Sequence, residues 1–342
     1  MKKYISKIFI IVILVSQFNV ARAQNASGYH IAKTFHIASS GGWDYITVDP
    51  GSNKLYQSHG TQVNILDKMT GDSLGIIPNT TGVHGIAFAD EFGKGYTSNG
   101  KLNNVTVFDL KTGNVLNQIA TGQNPDAIFY DAFSKKIITC NGLSKDLSII
   151  DPATDKVVAT IPVGGKPETA VSDNAGKIYI NIEDKNEIKA VDIVKNEVIN
   201  HWQITPGDSP TGLAIDRKTK RLFAGCGNKL LIVIDAVNGK IIDTLPIGTR
   251  CDGVGFDADL KYIFSSCGDG TLTVIHEASK NEFNVINVVR TKKGARTIAV
   301  DEQTHNVYLP TADYEALPLN ASKSEKPKII PGTFQILVLS NN

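Results

Sequence analysis

Residues 156–192 read KVVATIPVGGKPETAVSDNAGKIYINIEDKNEIKAVD. Short runs rich in Val, Ile, Thr and Tyr alternate here with Gly, Pro, Asn and Asp, which is the composition of β-strands separated by turns. The stretch predicts an outer strand, a Gly/Pro turn, an inner strand, a hairpin, a middle strand, a loop and a third strand. It therefore describes one antiparallel unit and the link that enters it.

The same pattern recurs along the chain. An apolar or small residue marks the end of each inner strand, and successive markers are separated by 40, 42, 42, 43, 41 and 44 residues. The seven markers are Val48, Phe88, Tyr130, Ser172, Ile215, Phe256 and Val300. Four short strands in each unit of about 40 residues are typical of a β-propeller blade. The sequence therefore predicts an all-β protein with the fold of a seven-bladed β-propeller.

The two ends of the chain together predict how the ring closes. The last unit provides three strands, at Thr297–Asp301, Val307–Pro310 and Phe334–Leu339, and no fourth. Near the N-terminus, Ile31–Ile37 precedes the first unit as Val157–Val163 precedes the fourth. We therefore expect the N-terminal strand to pair with the last blade, which removes an open sheet edge.

The repeat resembles that of the YVTN/YncE-like seven-bladed propellers. The resemblance rests on Ile161-Pro-Val-Gly-Gly-Lys-Pro, on Ala170 and on Gly-Lys-Ile-Tyr at 176–179, and it extends over the mature chain. The first unit departs from the pattern with Trp43-Asp44, and the last with Ala295-Arg296. The resemblance implies the propeller fold and no particular activity, since the family has no common activity.

The N-terminus predicts export. Residues 1–23 combine a basic start, an apolar run at Ile8–Val15 and Ala21-Arg-Ala, which are the parts of a bacterial secretory signal peptide cleaved before Gln24. The mature chain, residues 24–342, is then one propeller domain in the periplasm or secreted, without a membrane span. Cleavage leaves 31 basic against 34 acidic residues, a net charge of −3. This balance argues against nucleic-acid binding, although DNA binding is reported within the family that the repeat resembles.

The cysteines leave two alternatives open. Cys140, Cys226, Cys251 and Cys267 are too widely spaced for a disulfide framework or a CxxC metal site. Export allows one disulfide among the last three, and free buried thiols are the other reading. Cys140 lies two blades away and is expected to be a small core residue.

Candidate binding residues recur at the entry to each inner strand. The position four residues before each marker is occupied by Asp44, His84, Asp126, Glu168, Thr211, Asp252 and Arg296. Because every inner strand begins at the same end of the central channel, we expect these side chains to form a ring at that end, the channel mouth. Crowded charges there shift each other's pKa values, and Trp43 is expected to add a flat apolar surface. Hydrogen bonding between blades is the competing role for each carboxylate. A second set, at the ends of the middle strands, comprises His59, Asn99, Asn141, Ile182, Cys226, Cys267 and Thr311.

Two functions remain open from the sequence. The first is a binding or scaffold protein that uses the channel mouth for a small polar ligand, a cation or a protein partner. The second is a lactonase-like hydrolase, in which Glu168 or His84 activates water, Arg296 stabilises an oxyanion and a divalent cation polarises a carbonyl. Lactone-opening enzymes occur among similar propellers, which is an analogy of fold alone.

A long loop in the last blade is expected on the same face. It runs over residues 312–333 and contains three prolines and a charged stretch. Loops of this length are commonly lids or surface insertions. As a lid, it would direct Tyr314 or Glu315 towards the channel.

Overall fold

The computed structural model describes residues 28–39, 41–316 and 327–341. This part of the chain forms seven four-stranded antiparallel sheets and three short 3-10 helices, at Asp90–Phe92, Gly100–Leu102 and Glu183–Lys185. Within these ranges, no helix has the length and apolarity needed to cross a bilayer. The predicted signal peptide lies outside the described residues.

The strands follow the repeat, from the channel outward in each blade. Blade one comprises β2 (Trp43–Val48), β3 (Lys54–His59), β4 (Gln62–Asp67) and β5 (Ser73–Ile77). Blade two comprises β6 (Val83–Ala89), β7 (Lys94–Asn99), β8 (Asn104–Asp109) and β9 (Val115–Ala120). Blade three comprises β10 (Pro125–Asp131), β11 (Lys136–Asn141), β12 (Asp146–Asp151) and β13 (Lys156–Pro162). Blade four comprises β14 (Pro167–Ser172), β15 (Lys177–Ile182), β16 (Glu187–Asp192) and β17 (Glu197–Gln203).

The second half of the ring continues in the same way. Blade five comprises β18 (Pro210–Asp216), β19 (Arg221–Cys226), β20 (Leu230–Asp235) and β21 (Ile241–Pro246). Blade six comprises β22 (Cys251–Asp257), β23 (Tyr262–Cys267), β24 (Thr271–Ser279) and β25 (Glu282–Arg290). Blade seven comprises β26 (Ala299–Asp301), β27 (Asn306–Thr311), β28 (Gln335–Ser340) and β1 (His30–His36). Each inner strand lies against those of the two neighbouring blades, from β2 beside β6 around to β26 beside β2.

The ring closes through the N-terminal strand, as the sequence predicts. Strand β1 pairs antiparallel with β28, with His30 opposite Ser340 and His36 opposite Gln335. Beside this closure, the Lys68 ammonium of blade one lies 3.0 Å from the Asp301 carboxylate of blade seven, and both side chains are less than 5% exposed. The last and first blades are therefore joined by an ion pair shielded from water.

The inner strand of blade seven is shorter than expected. It begins at Ala299 instead of Thr297. The hydroxyl of Thr297 donates to the carbonyl of Asp44 in blade one, 2.8 Å away. Thr297 therefore makes a side-chain hydrogen bond to blade one and is not part of the β26 strand, in which it was expected to pair.

The hydrophobic core lies between the blades. Middle strands such as β15 are buried along almost their whole length, whereas the outer strand β17 is largely exposed. Tyrosines at one repeat position fill the gap to the next blade, and Tyr96, Tyr179 and Tyr308 also donate their hydroxyls to it. Tyr179 reaches the carbonyl of Ala236 at 2.9 Å, and Tyr308 reaches that of Lys68 at 2.9 Å. Burying such a ring contributes about 1.5–3 kcal/mol, and the hydroxyl bonds fix the angle between blades.

The turns that end the third strands use local side-chain chemistry. The Oδ1 of Asp109 accepts the backbone N–H groups of Lys111 at 3.1 Å and Thr112 at 2.7 Å. Gly113 follows with φ of 75°, a conformation that a residue with a Cβ adopts at a cost. Aspartates at equivalent positions make the same turn in other blades, which explains why Asp recurs with the repeat.

The four cysteines are buried free thiols. Cys251 and Cys267 lie directly opposite each other on β22 and β23. The thiol of Cys251 also lies 3.1 Å from the hydroxyl of Ser265. The sequence left open one disulfide or free buried thiols, and the structure contains free thiols.

Candidate functional site

The channel mouth brings together charged side chains from consecutive blades. The imidazole Nδ1 of His84 lies 2.6 Å from Oδ2 of Asp44 and 3.7 Å from Oδ1 of Asp126. These residues stand at the same position of β2, β6 and β10. Because the inner strands converge on the channel, one repeat position in three blades becomes one cluster.

Arg296 continues this cluster around the ring. Its Nε lies 2.5 Å from Oδ2 of Asp252, and one terminal nitrogen lies 3.4 Å from Oδ1 of Asp44. The guanidinium therefore links blades six, seven and one. Because the carboxylates of Asp44 and Asp252 come from different blades and contact the same guanidinium, they restrict the orientation of the Arg296 side chain.

Glu168 and Thr211, the other two ring positions, have different partners. Glu168 is 8% exposed and lies 2.5 Å from the Lys166 ammonium, which also contacts Glu183 at 2.5 Å. Thr211 donates its hydroxyl to the carbonyl of Cys251 in the next blade. The hydrogen bonding between blades that competes with a binding role for the carboxylates is present at Asp44, which bonds to His84, and at Asp252, which accepts from Arg296. Thr211 makes a bond of the same kind.

The backbone beneath the ring is fixed by bonds from neighbouring blades. The hydroxyl of Ser98 donates to the carbonyl of Asp126, and that of Ser266 donates to the carbonyl of Arg296 at 2.5 Å. Asn181 donates to the carbonyl of Thr211 at 3.1 Å. The binding residues predicted from the repeat thus stand on a preorganised support.

Tyr45 reaches across the channel below the mouth. Its hydroxyl lies 3.4 Å from Oγ1 of Thr169, a residue of blade four. The ring packs against a core cluster that includes Ala170. Sequence reasoning missed this residue, although a signal exists. The residue after each ring position is small in the other blades, namely Gly85, Ala127, Thr169, Gly212, Gly253 and Thr297, so one tyrosine has room to extend across the channel.

Burial and mutual repulsion shift the protonation of the cluster. Burial raises the pKa of Glu168, the charge of Asp126 adds to this, and the value reaches about 8 despite Lys166. Burial also raises the pKa of Asp126 to about 6, against the opposing effect of His84. For His84, burial lowers the pKa, but the bond to Asp44 and the nearby carboxylates outweigh burial and raise the pKa to about 8.

The pKa values of the Arg296 pair shift in the same sense. Burial raises the pKa of the Asp252 carboxyl, and the positive charge of Arg296 offsets part of the rise. Burial alone would lower the pKa of Arg296. The charges of Asp252 and Asp44 raise it by more than burial lowers it, so the pKa of Arg296 lies above its usual value. Arg296 therefore remains a cation in this site.

Trp43 does not provide the apolar surface expected beside Asp44. It is 8% exposed and packs against Phe334, with ring centroids 5.3 Å apart, and against Tyr314 at 6.3 Å. Phe334 lies directly before β28 and Tyr314 near the beginning of the long loop, so both rings come from the C-terminal part of blade seven. Its place is the core between blades one and seven.

The second set of candidates is also buried. The ring of His59 stacks on Phe334 with centroids 4.0 Å apart, and burial lowers its pKa. The amide of Asn141 donates to Asp146 at 2.7 Å and to Ser148 at 2.9 Å. These side chains organise the loops around the mouth and do not line it.

The described parts of the long loop border a cleft beside Arg296. The bridge between Tyr314 and Ile329 joins the two ends of the loop, and residues 317–326 lie outside the described residues. Three cationic side chains, Arg250, Lys293 and Arg296, line the cleft together with Tyr314 and one carboxylate, Glu315. We call it the basic cleft. Tyr314 packs against Trp43 and places its hydroxyl close to Gly294, and a lid role for the loop stays a prediction.

A larger cleft, of about 890 Å³, lies at the opposite end of the channel. Its walls contain Ile215, Phe256 and Val300, and Arg217 at its rim donates to the carbonyl of Ser172 at 2.9 Å. The walls combine apolar side chains with charged ones, namely Asp216, Arg217, Lys218, Asp259, Lys261 and Glu302, and the Lys261 ammonium lies 3.4 Å from Asp216. Both ends of the channel therefore carry charges, and the mouth differs in that His84 and Arg296 each contact carboxylates from neighbouring blades.

Comparison with known proteins establishes the fold. The chain matches no protein-family model, and no curated protein matches it. It is similar to a solved chain of hydrazine synthase from Kuenenia stuttgartiensis, with a TM-score of 0.70 at 15% identity over 80% of this chain and 94% of that one. The resemblance to the YVTN/YncE-like family stays a prediction. At 15% identity the similarity concerns the fold alone. Together with the seven four-stranded sheets, it shows that the chain is a seven-bladed β-propeller.

Proposed function

We propose that this protein is a binding protein whose channel mouth takes a small polar ligand bearing an anionic group such as a carboxylate. The observation that carries the proposal is the position of Arg296. It is held between Asp44 and Asp252 on one side and borders the basic cleft with Arg250 and Lys293 on the other. A planar guanidinium fixed in this way is suited to a carboxylate.

Tyr45 supports a ligand of limited size. Because it crosses the channel to Thr169 directly below the ring, a ligand enters from the mouth and stops there. Binding sites of this kind are concave and combine a few oriented polar groups with a rigid wall. A protein partner that inserts an acidic side chain at the same place is the alternative occupant.

The protonation of the cluster favours binding over the hydrolase alternative. A general base has to be deprotonated at the working pH. Burial raises the pKa of Glu168, and the bond to Asp44 with the nearby carboxylates raises that of His84, so both shifts oppose the deprotonated form that a general base needs. Arg296 retains the charge needed at an oxyanion.

Export belongs to the same proposal. Residues 1–23 carry the features of a signal peptide, so we propose a periplasmic or secreted protein that starts at Gln24. Expression of the full chain in a bacterium, fractionation and intact mass measurement test this point. Uncleaved protein, with residues 1–23 still attached and found in the cytoplasmic fraction, would contradict the proposal.

A thermal-shift screen tests the binding proposal. The mature protein is heated with gluconate, glucuronate and glucono-δ-lactone in the presence of EDTA. A ligand at 100 times its dissociation constant adds about 2.7 kcal/mol of stability. We expect a shift that is lost in Arg296→Gln and retained in Glu302→Gln, a matched change at the opposite end of the channel.

The outcomes of this screen separate the alternatives. A shift that survives in Arg296→Gln and disappears in Glu302→Gln would move the site to the opposite end. Absence of a shift with every compound would overturn the small-ligand proposal and leave the protein partner. Opening of the lactone above the uncatalysed rate, abolished in Glu168→Gln, would favour the hydrolase.

A further inference from the structure

Three side chains at the mouth present metal-binding atoms to one point. They belong to Asp44, His84 and Asp126, each of which offers one ligand atom, and the three atoms lie within 4.8 Å of one another. Imidazole nitrogen and carboxylate oxygen bind zinc at about 2.0–2.2 Å, so ligand atoms of one ion lie no more than about 4.4 Å apart. The 3.7 Å between His84 and Asp126 fits this limit, whereas the 2.6 Å between His84 and Asp44 has to widen. The two carboxylate oxygens, which lie within 4.8 Å of each other, have to come within the same limit.

The carboxylate of Asp126 lacks a protein donor. Its side chain is only 15% exposed, and its nearest cationic atom is Nδ1 of His84 at 3.7 Å, beyond hydrogen-bond distance. No described residue donates a hydrogen bond to this carboxylate, while the bond from Ser98 goes to the backbone carbonyl. A carboxylate largely removed from water requires a counter-charge or donors.

His84 cannot serve both of its carboxylate neighbours. Its Nδ1 carries at most one hydrogen, and the short contact commits that hydrogen to Asp44. Asp126 faces the same nitrogen without a share in the bond. An ion with several coordination positions binds all three atoms at once, which one proton cannot do.

The surroundings hold the imidazole in this orientation. A Cβ added at Gly100 would lie 2.7 Å from Nε2 of His84, so the ring rests directly on the backbone of Gly100. On the other side, Oδ1 of Asp44 faces Arg296 at 3.4 Å, which leaves Oδ2 directed to His84. Each candidate ligand is thus positioned by a neighbouring group, as in other metal sites.

We propose that Asp44, His84 and Asp126 bind a divalent first-row transition ion, with one atom from each of three consecutive blades. Three protein ligands leave coordination positions open to the channel mouth. The inference rests on the proposed function, because an ion there offers a second contact to a ligand whose anionic group is held by Arg296. A mixed nitrogen and oxygen set favours Zn²⁺, Co²⁺ or Mn²⁺ over Ca²⁺ and Mg²⁺.

Titration calorimetry on the mature protein tests the site. After treatment with EDTA and dialysis, we expect one equivalent of Zn²⁺ per chain and, with Co²⁺, a visible d–d absorption band. His84→Ala and Asp126→Asn should weaken Zn²⁺ binding at least tenfold. His201→Ala, which removes an imidazole that is 73% exposed on the outer strand of blade four, should bind Zn²⁺ like the wild type.

Stability of the variants is checked by circular dichroism, and His84→Gln replaces the alanine variant if that one unfolds. Zn²⁺ binding that is unchanged in His84→Gln and Asp126→Asn, or absent in the wild type, overturns the inference. The proposed function is judged separately, because its screen contains EDTA. If a carboxylate raises the melting temperature but Zn²⁺ does not bind, the metal site is overturned and the proposed function stands. If neither effect is observed, both proposals are overturned.

Discussion

The hydroxyl of Tyr45 and Oγ1 of Thr169 lie 3.4 Å apart across the central channel, from blade one to blade four. This contact crosses the channel between the mouth, with its ring of Asp44, His84 and Arg296, and the cleft at the opposite end. A single large residue at a repeat position that is otherwise small thus defines the depth of the proposed site. It also makes the site sensitive to one substitution that changes no charge.

Tyr45→Ala should weaken ligand binding and stability together. The ring is half-buried, so we expect the free energy of unfolding to fall by about 1–3 kcal/mol, below the range for a fully buried aromatic residue. Tyr45→Phe keeps the ring and should lose less than about 1 kcal/mol, since it removes one long hydrogen bond. Urea denaturation of both variants checks the ranking, and equal losses would contradict a role for the ring.

Lys68→Met should destabilise the closure between blades one and seven. It leaves the carboxylate of Asp301 buried without its cation, which typically costs about 3–5 kcal/mol. Lys135→Met is the matched control, because the pair of Lys135 with Glu91 is exposed and such pairs contribute about 0–1 kcal/mol. Equal urea midpoints for the two variants would argue against the buried pair.

Deletion of residues 24–38 should sharply lower the melting temperature. It removes β1 and exposes the edge of β28, where residues from His30 to His36 are paired. Deletion of residues 24–27 alone leaves this strand in place and should change the melting temperature little. An unchanged melting curve for the longer deletion would be incompatible with closure by β1.

Stability should fall as pH rises through neutrality because of Glu277. Its side chain is 4% exposed, Oε2 has no hydrogen-bond partner, and burial next to Asp216 raises its pKa to about 7. The folded state therefore keeps a proton that the unfolded state releases near pH 4.5, so this contribution is complete below pH 4.5 and is lost as pH rises through 7. Glu277→Gln should flatten this part of the curve and raise the melting temperature at pH 8 by a few degrees. A parallel curve for the variant would assign the pH dependence to other groups.

Thiol labelling should detect four cysteines in the denatured protein and almost none in the native protein. All four are free and buried, and Cys251 faces Cys267 across two strands. Mass spectrometry after alkylation without a reductant counts them. Two labels instead of four in the denatured protein would show that one pair is oxidised in the isolated protein.

The repeat made the architecture predictable, because strand length, turn residues and a period near 40 residues all follow from local chemistry. The ring of Asp44, His84 and Arg296 was also predictable, since one repeat position occupies one place around a symmetric channel. The pairing of Arg296 with Asp252 was not predictable, because it depends on which way each long side chain turns.

The errors arose where packing outside the repeat decides exposure. Trp43 has the flat apolar ring that binding surfaces often use, but Phe334 and Tyr314 pack against this ring and bury it. Both of these residues come from the far end of the chain, so local pattern carries no information about the contact. Tyr45 was overlooked for the converse reason, because its importance lies in the small residues around it.

The closure of blade seven has a consequence for the order of folding. Six blades are continuous in sequence, so each can form its sheet as soon as its own residues are available. The pairing of β1 with β28 joins His30 to Ser340, and contacts so distant in sequence form slowly. Until β28 is available the chain is therefore an open arc, with the apolar faces of its first and last blades exposed. Such an incomplete ring is prone to aggregate until β1 and β28 pair.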